Sequence, residues 1–144
     1  MSHDLKALSR RWFDEVWNNG NEQTIDELLA ADGIAGGLGE DGRPLVGPPG
    51  FRKFFHRMRG GFSDIHIHVD EVLAEGDASV VRFTFTARHS GNGLGVPATG
   101  KTVRATGMTI VHWRNGRIVN GHNEFDVAGL SAQLEGPPAV KVRV

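Results

Sequence analysis

Two hydrophobic periods divide the chain, one helical and one extended. Between His3 and Trp17, the residues Leu5, Leu8, Trp12, Phe13, Val16 and Trp17 recur at three- and four-residue intervals, which predicts an amphipathic helix ended by Asn18-Asn19-Gly20. Asn21 suits the cap of a second helix with Ile25, Leu28 and Leu29 as its apolar stripe, running to Ala31 before Asp32-Gly33. The stretch Gly33 to Gly50 holds too much glycine and proline for a helix and predicts a mobile loop, with Ile34 to Leu38 as a short edge strand. Pro48-Pro49 fit the first turn of a third helix, which carries Phe51, Phe54, Phe55, Met58 and Phe62 at helical spacing.

Beyond Phe62 the period changes to two. Ile65, Ile67 and Val69 alternate with His66, His68 and Asp70, which predicts a strand with one wet face, and Gly76-Asp77 turns into a long strand from Ala78 to His89. After the glycine-rich SGNGLGVPATGK, Val103 to Arg114 and Arg117 to Phe125 flank Asn115-Gly116, the signal of a tight hairpin. Parity places Thr109, Val111 and Trp113 on one face of its first strand and Met108, Ile110 and His112 on the other. On the returning strand it groups Val119, Gly121, Asn123 and Phe125 against Ile118, Asn120, His122 and Glu124. Asp126 precedes VAGLSAQL, a short helical pattern that an aspartate can cap. Helices followed by four strands and a terminal helix predict an α+β domain, with helices packed on one side of a curved antiparallel sheet.

Composition narrows the chemistry. A chain of 144 residues fits one domain spanning 1–144, and a formal net charge of -1 offers no field to recruit nucleic acid or an acidic membrane. Without cysteine there is no disulfide or thiolate site, the charged N-terminus lacks a signal-peptide core, and no apolar run spans a bilayer. A soluble cytoplasmic protein is the expectation. Arg52, Lys53, His56, Arg57 and Arg59 are read as the solvated face of the third helix in preference to a nucleic-acid patch.

Three motifs invite chemistry. Gly95 to Thr102, GVPATGKT, meets the phosphate-loop formula, but a strand follows where the cradle needs a helix, and Pro97 removes an amide. The seven histidines offer His66 with His68, or His122 near Glu124 and Asp126, without a complete metal shell. Ser90 and Ser131 lack a nucleophile elbow. Of the three tryptophans, Trp12 is read as core, whereas Trp17 and Trp113 fit core filling and the wall of a cleft equally well.

Taken in order, Trp12–Asn19 (WFDEVWNN), Gly47–Asp64, Glu75-Gly76-Asp77, Arg82–Lys101 (RFTFTARHSGNGLGVPATGK) and Asn115–Leu134 (NGRIVNGHNEFDVAGLSAQL) resemble the SnoaL-like polyketide cyclases, or ester cyclases, of the ketosteroid-isomerase-like superfamily. The resemblance implies a bent sheet wrapped by helices into a cone with a deep apolar pocket, and a homodimer formed through the sheet's outer face. It also implies cofactor-free, metal-free aldol cyclisation, in which a carboxylate takes a proton from a carbon flanked by carbonyls. Matched through Asn115-Gly116, the family's acid/base aspartate falls on Asn123 and its assisting histidine on Thr109. Neither side chain takes up a proton at neutral pH.

The remaining titratable candidates are His89, placed by the resemblance at the pocket mouth, and Asp126, which also reads as a helix cap. His122 and Glu124 fall on the other face by parity. The first expectation is therefore an enzyme acting on a small hydrophobic carbonyl compound through His89 or Asp126, with Asn123 orienting substrate or water. The second is a binding module in which Trp17, Thr109, Val111, Trp113, Asn123 and Phe125 hold such a molecule without chemistry. The third is a dehydratase- or isomerase-like proton shuffle.

Overall fold

The structure is a computed structural model and describes residues 4–38 and 42–135. Helix α1 (Leu5–Arg11) starts where the Asp4 carboxylate accepts hydrogen bonds from the Lys6 and Ala7 amides, and it continues as a π-helical segment, Trp12–Asn18. The wider π turn brings Trp12, Phe13, Val16 and Trp17 together on the buried side. At its end Asn18 behaves as a strand would. Its side chain accepts from the Ile67 amide and donates to the Ile67 carbonyl, satisfying backbone on an outer strand of the sheet.

Helix α2 (Glu22–Leu28) stops three residues short of the expected Ala31, because Leu29 is already extended. Strand β1 (Leu29–Gly36) follows, then β2 (Leu45–Val46), and these replace much of the expected loop. Residues 39–41 in its middle lie outside the described residues, as do His3 and residues 136–144. Helix α3 (Gly47–Gly61) begins with its prolines in the first turn and buries Phe51 and Phe55. The α2–α3 contact is fixed by Arg52, which donates to both carboxylate oxygens of Asp26 and to Glu22. Those donated hydrogen bonds hold the Asp26 carboxyl below its ordinary range. Arg52 is thus not simply solvated, although Lys53, His56, Arg57 and Arg59 on the same run are exposed.

Strands β3 (Ser63–Glu75), β4 (Ala78–Arg88), β5 (Thr102–Arg114) and β6 (Arg117–Phe125) make an antiparallel meander, and α4 (Val127–Leu134) closes the described chain. The six strands lie in the order β2-β1-β6-β5-β4-β3. Two expectations are corrected here. The sheet has six strands, adding β2 to the four long strands and the short one expected at Ile34 to Leu38. That short one, β1, is an interior strand, parallel to β6, so the edge belongs to β2. This parallel pairing depends on long-range closure, which residues 34–38 do not advertise locally.

A further correction concerns parity. The register slips between His112 and Trp113, so Ile118 pairs with Trp113 while Gly121 pairs with Val111. This bulge turns Ile118 inward beside Gly121 and leaves Val119 half-buried. A second slip, between Val69 and Glu71, buries Val72 in β3. Where β6 ends, α4 takes over its hydrogen bonding to β5: Gln133 accepts from the Arg104 amide and donates to the Arg104 carbonyl. Among the described residues no helix is long and apolar enough to cross a membrane.

Candidate functional site

The concave side of the sheet and the helices facing it enclose a cavity of about 770 Å³, within the usual range for a small-molecule site. Its wall is mostly aromatic and aliphatic. Trp12, Trp17 and Phe51 pack edge to face at centroid separations of 5.1 and 5.9 Å, and Phe83 stacks on Phe125 at 6.2 Å. Trp12, read from sequence as core, therefore lines the cavity together with Trp17, Val111, Trp113 and Phe125.

Two polar groups sit on the β5–β6 part of this wall. Thr109 and Asn123 are direct cross-strand partners, and both face the cavity. Thr109 is only 4% exposed, yet its hydroxyl makes no hydrogen bond to any described residue. The Asn123 amide nitrogen donates to the Gly36 carbonyl at 2.9 Å, where β1 ends. That contact fixes the amide orientation, since the opposite one would set two carbonyl oxygens against each other. The Asn123 Oδ1 is left as an acceptor without a protein donor among the described residues.

A third polar group, farther along β5, is fully engaged. Trp113 Nε1 donates to Ser79 Oγ at 3.0 Å, Ser79 and Ser9 share a hydrogen bond of 2.8 Å, and Ser9 donates to the Leu5 carbonyl at 2.7 Å. Because the Ser9 hydrogen is spent on Leu5, the Ser79 hydroxyl donates to Ser9.

The two expected proton-transfer residues are not in the wall. His89 is completely buried, its ring tilted against Phe62 at a centroid separation of 5.3 Å, but does not line the cavity. Its Nδ1 accepts from the Thr99 backbone amide at 3.1 Å, so its Nε2 carries the hydrogen and donates to the Gly93 carbonyl at 2.9 Å. His89 thereby holds both sides of the glycine-rich segment, of which Asn92, Gly93, Leu94 and Gly95 do line the cavity. This segment lies so close to the end of α3 that a Cβ on Gly93 would sit 2.5 Å from the Phe62 ring and one on Gly61 would sit 2.5 Å from Gly93. Asp126 is exposed and outside the wall, and its carboxylate accepts from the Gly129 amide at 2.9 Å as the cap of α4. The position expected at the pocket mouth is thus a buried clamp, and the late aspartate is a helix cap.

The one ionisable side chain among the described residues of the wall is Arg57, whose guanidinium lies over Phe54 at 5.7 Å. Sequence reading grouped it with the solvated face of α3. Its helical position, three residues beyond Phe54 and one before Met58, was the signal that it borders the apolar face.

The other motifs resolve locally. Thr102 opens β5 directly after GVPATGK, so no helix follows the phosphate-loop formula. Among the described residues no group of three His, Asp or Glu is placed to hold a metal ion. His68 is bonded to Asp70, while His122 lies 3.5 Å from Glu124 on exposed positions of β6.

The comparisons with known proteins agree with this architecture. The model of the SnoaL-like polyketide cyclases matches residues 7–134. The chain belongs to that family. Over 125 residues, covering 85% of this chain and 86% of the relative, it is 26% identical to aklanonic acid methyl ester cyclase DnrD of Streptomyces peucetius. The crystal structure of IdmH from Streptomyces antibioticus superposes with a TM-score of 0.80 at 27% identity, covering 92% of this chain and 99% of IdmH. A SnoaL-like protein from Jannaschia sp. CCS1 superposes with a TM-score of 0.83 at 23% identity, covering 92% of both chains, which speaks for the fold alone.

Proposed function

We propose that this member of the cyclase family takes up a small hydrophobic carbonyl compound, orienting it against the Thr109–Asn123 wall without a side-chain base of its own. The observation that carries this reading is the composition of the cavity. It is large and mostly aromatic, and the polar side chains of its β5–β6 wall are a hydroxyl and an amide. Its one ionisable side chain among the described residues is the Arg57 guanidinium, and neither His89 nor Asp126 reaches it. Aromatic walls exclude water and favour a flat apolar molecule, while the two polar side chains set its orientation. The relative that is an aklanonic acid methyl ester cyclase suggests the kind of compound, a methyl ester able to close a ring.

A second reading, ring closure by cofactor-free proton transfer, is supported by the same likeness. It requires a proton acceptor, for which Asn123 can only position a water.

Replacing Asn123 by aspartate separates the two. The wild-type chain is expected to bind a model aromatic β-keto methyl ester and leave it unchanged, whereas Asn123→Asp gains a pH-dependent turnover followed by chromatography. Turnover by the wild type at a rate the variant does not exceed would establish the second reading in place of the first.

A further inference from the structure

The two polar groups on the β5–β6 part of the wall differ in what they still need. Thr109 offers a buried hydroxyl able to donate and to accept, and Asn123 offers an oxygen able only to accept, because its nitrogen is committed to Gly36. An acceptor facing an apolar cavity is matched by a ligand that brings a hydrogen. A bare ketone or ester oxygen set there faces the Oδ1 lone pairs and leaves that oxygen unsatisfied. A hydroxyl gives its hydrogen to Asn123 Oδ1 and receives the Thr109 hydrogen on its own oxygen, which satisfies all three groups.

We infer that the site selects ligands by a hydrogen-bond donor. The molecule it takes presents a phenol, or the enol hydroxyl of a β-dicarbonyl unit, to the Thr109–Asn123 pair, with its remaining carbonyls elsewhere along the aromatic wall. This rests on the reading that the cavity is a site for small hydrophobic molecules, and it adds the group that such a molecule must carry. It also gives the amide at position 123 a task that a carboxylate performs differently: Asn123 holds a hydroxyl in its protonated form, whereas an aspartate would compete for the proton.

The test uses 1-naphthol and 1-methoxynaphthalene, which match in ring size and differ in the donor, titrated calorimetrically against the whole chain. The wild type is expected to bind 1-naphthol about tenfold or more tightly than the ether. The ratio should fall toward one in Thr109→Val and in Asn123→Leu, and it should persist in Thr109→Ser, which keeps the hydroxyl. Equal affinity of the wild type for both probes would overturn the donor rule while leaving the cavity as a binding site. A preference that survives in both the valine and the leucine variants would overturn the assignment to this pair. Binding of neither probe would bring down the proposed function together with the inference.

Discussion

Strand β5 carries two buried polar clusters on one face, and they differ in a way that burial alone does not reveal. Trp113 lies four residues beyond Thr109, about 13 Å along the strand. Both residues are 4% exposed and both line the cavity. Around Trp113 every polar hydrogen has an acceptor, through Ser79 and Ser9 to the Leu5 carbonyl. Around Thr109 the hydroxyl has no partner among the described residues, and the neighbouring Asn123 oxygen has none either. A closed network ties α1 to the sheet, and an open one has capacity left for a guest. What distinguishes a structural polar cluster from a ligand-facing one here is hydrogen-bond satisfaction.

The largest effect should come from breaking the closed cluster. Ser79→Val removes the hub and strands the Trp113 N–H and the Ser9 oxygen in a fully buried place, a loss of about 3 kcal/mol by denaturant titration. Thr109→Val, measured in the same way, should change stability by less than about 0.5 kcal/mol, since no protein partner loses a bond. Equal losses in the two variants would erase the distinction between the clusters.

A smaller effect is expected at the buried clamp of the glycine-rich segment. His89→Leu leaves the Thr99 amide and the buried Gly93 carbonyl without their partner, costing about 2 kcal/mol. Its signature is local. The Gly95 and Val96 amides, bonded within the segment that His89 clamps, should exchange with solvent faster, while amides in the middle of β5 keep their protection. A variant with unaltered exchange at these amides, and with lost turnover instead, would return His89 to a chemical role.

How much of this was legible in the residues follows from the range of the interactions involved. The hairpin around Asn115-Gly116, the helix beginning at Pro48-Pro49 and the cap at Asp126 are specified within a few neighbours, and all three stand in the structure. The inward set Thr109, Val111 and Trp113 followed from alternation, because β5 runs without interruption between Thr109 and His112. Alternation misassigned Ile118, because a bulge adds a residue that no local pattern marks. The interior place of β1 was hidden for a similar reason, since its parallel pairing with β6 joins segments roughly ninety residues apart. His89 was legible as special and misplaced as a mouth residue. Its ring bonds the Gly93 carbonyl and both the amide and the hydroxyl of Thr99, partners in the loop fold that side-chain spacing does not show.

Little effect on stability is also expected where the open region has space to lose. Gly121 lies on the inward face of β6 opposite Val111, and a Cβ placed there would meet its nearest neighbour, Asn123 Nδ2, only at 3.9 Å. It lies outside the positive-φ glycines, so a side chain costs no backbone strain. Gly121→Val should therefore leave stability within about 1 kcal/mol of the wild type, and loss of the glycine's unfolded-state freedom favours a gain. The added methyl groups occupy the cavity beside Asn123, so the affinity for 1-naphthol should fall even though no polar group has been removed. If the variant unfolds early, the wall at Gly121 is already packed. If it folds and binds as before, the ligand lies elsewhere than against the β5–β6 wall.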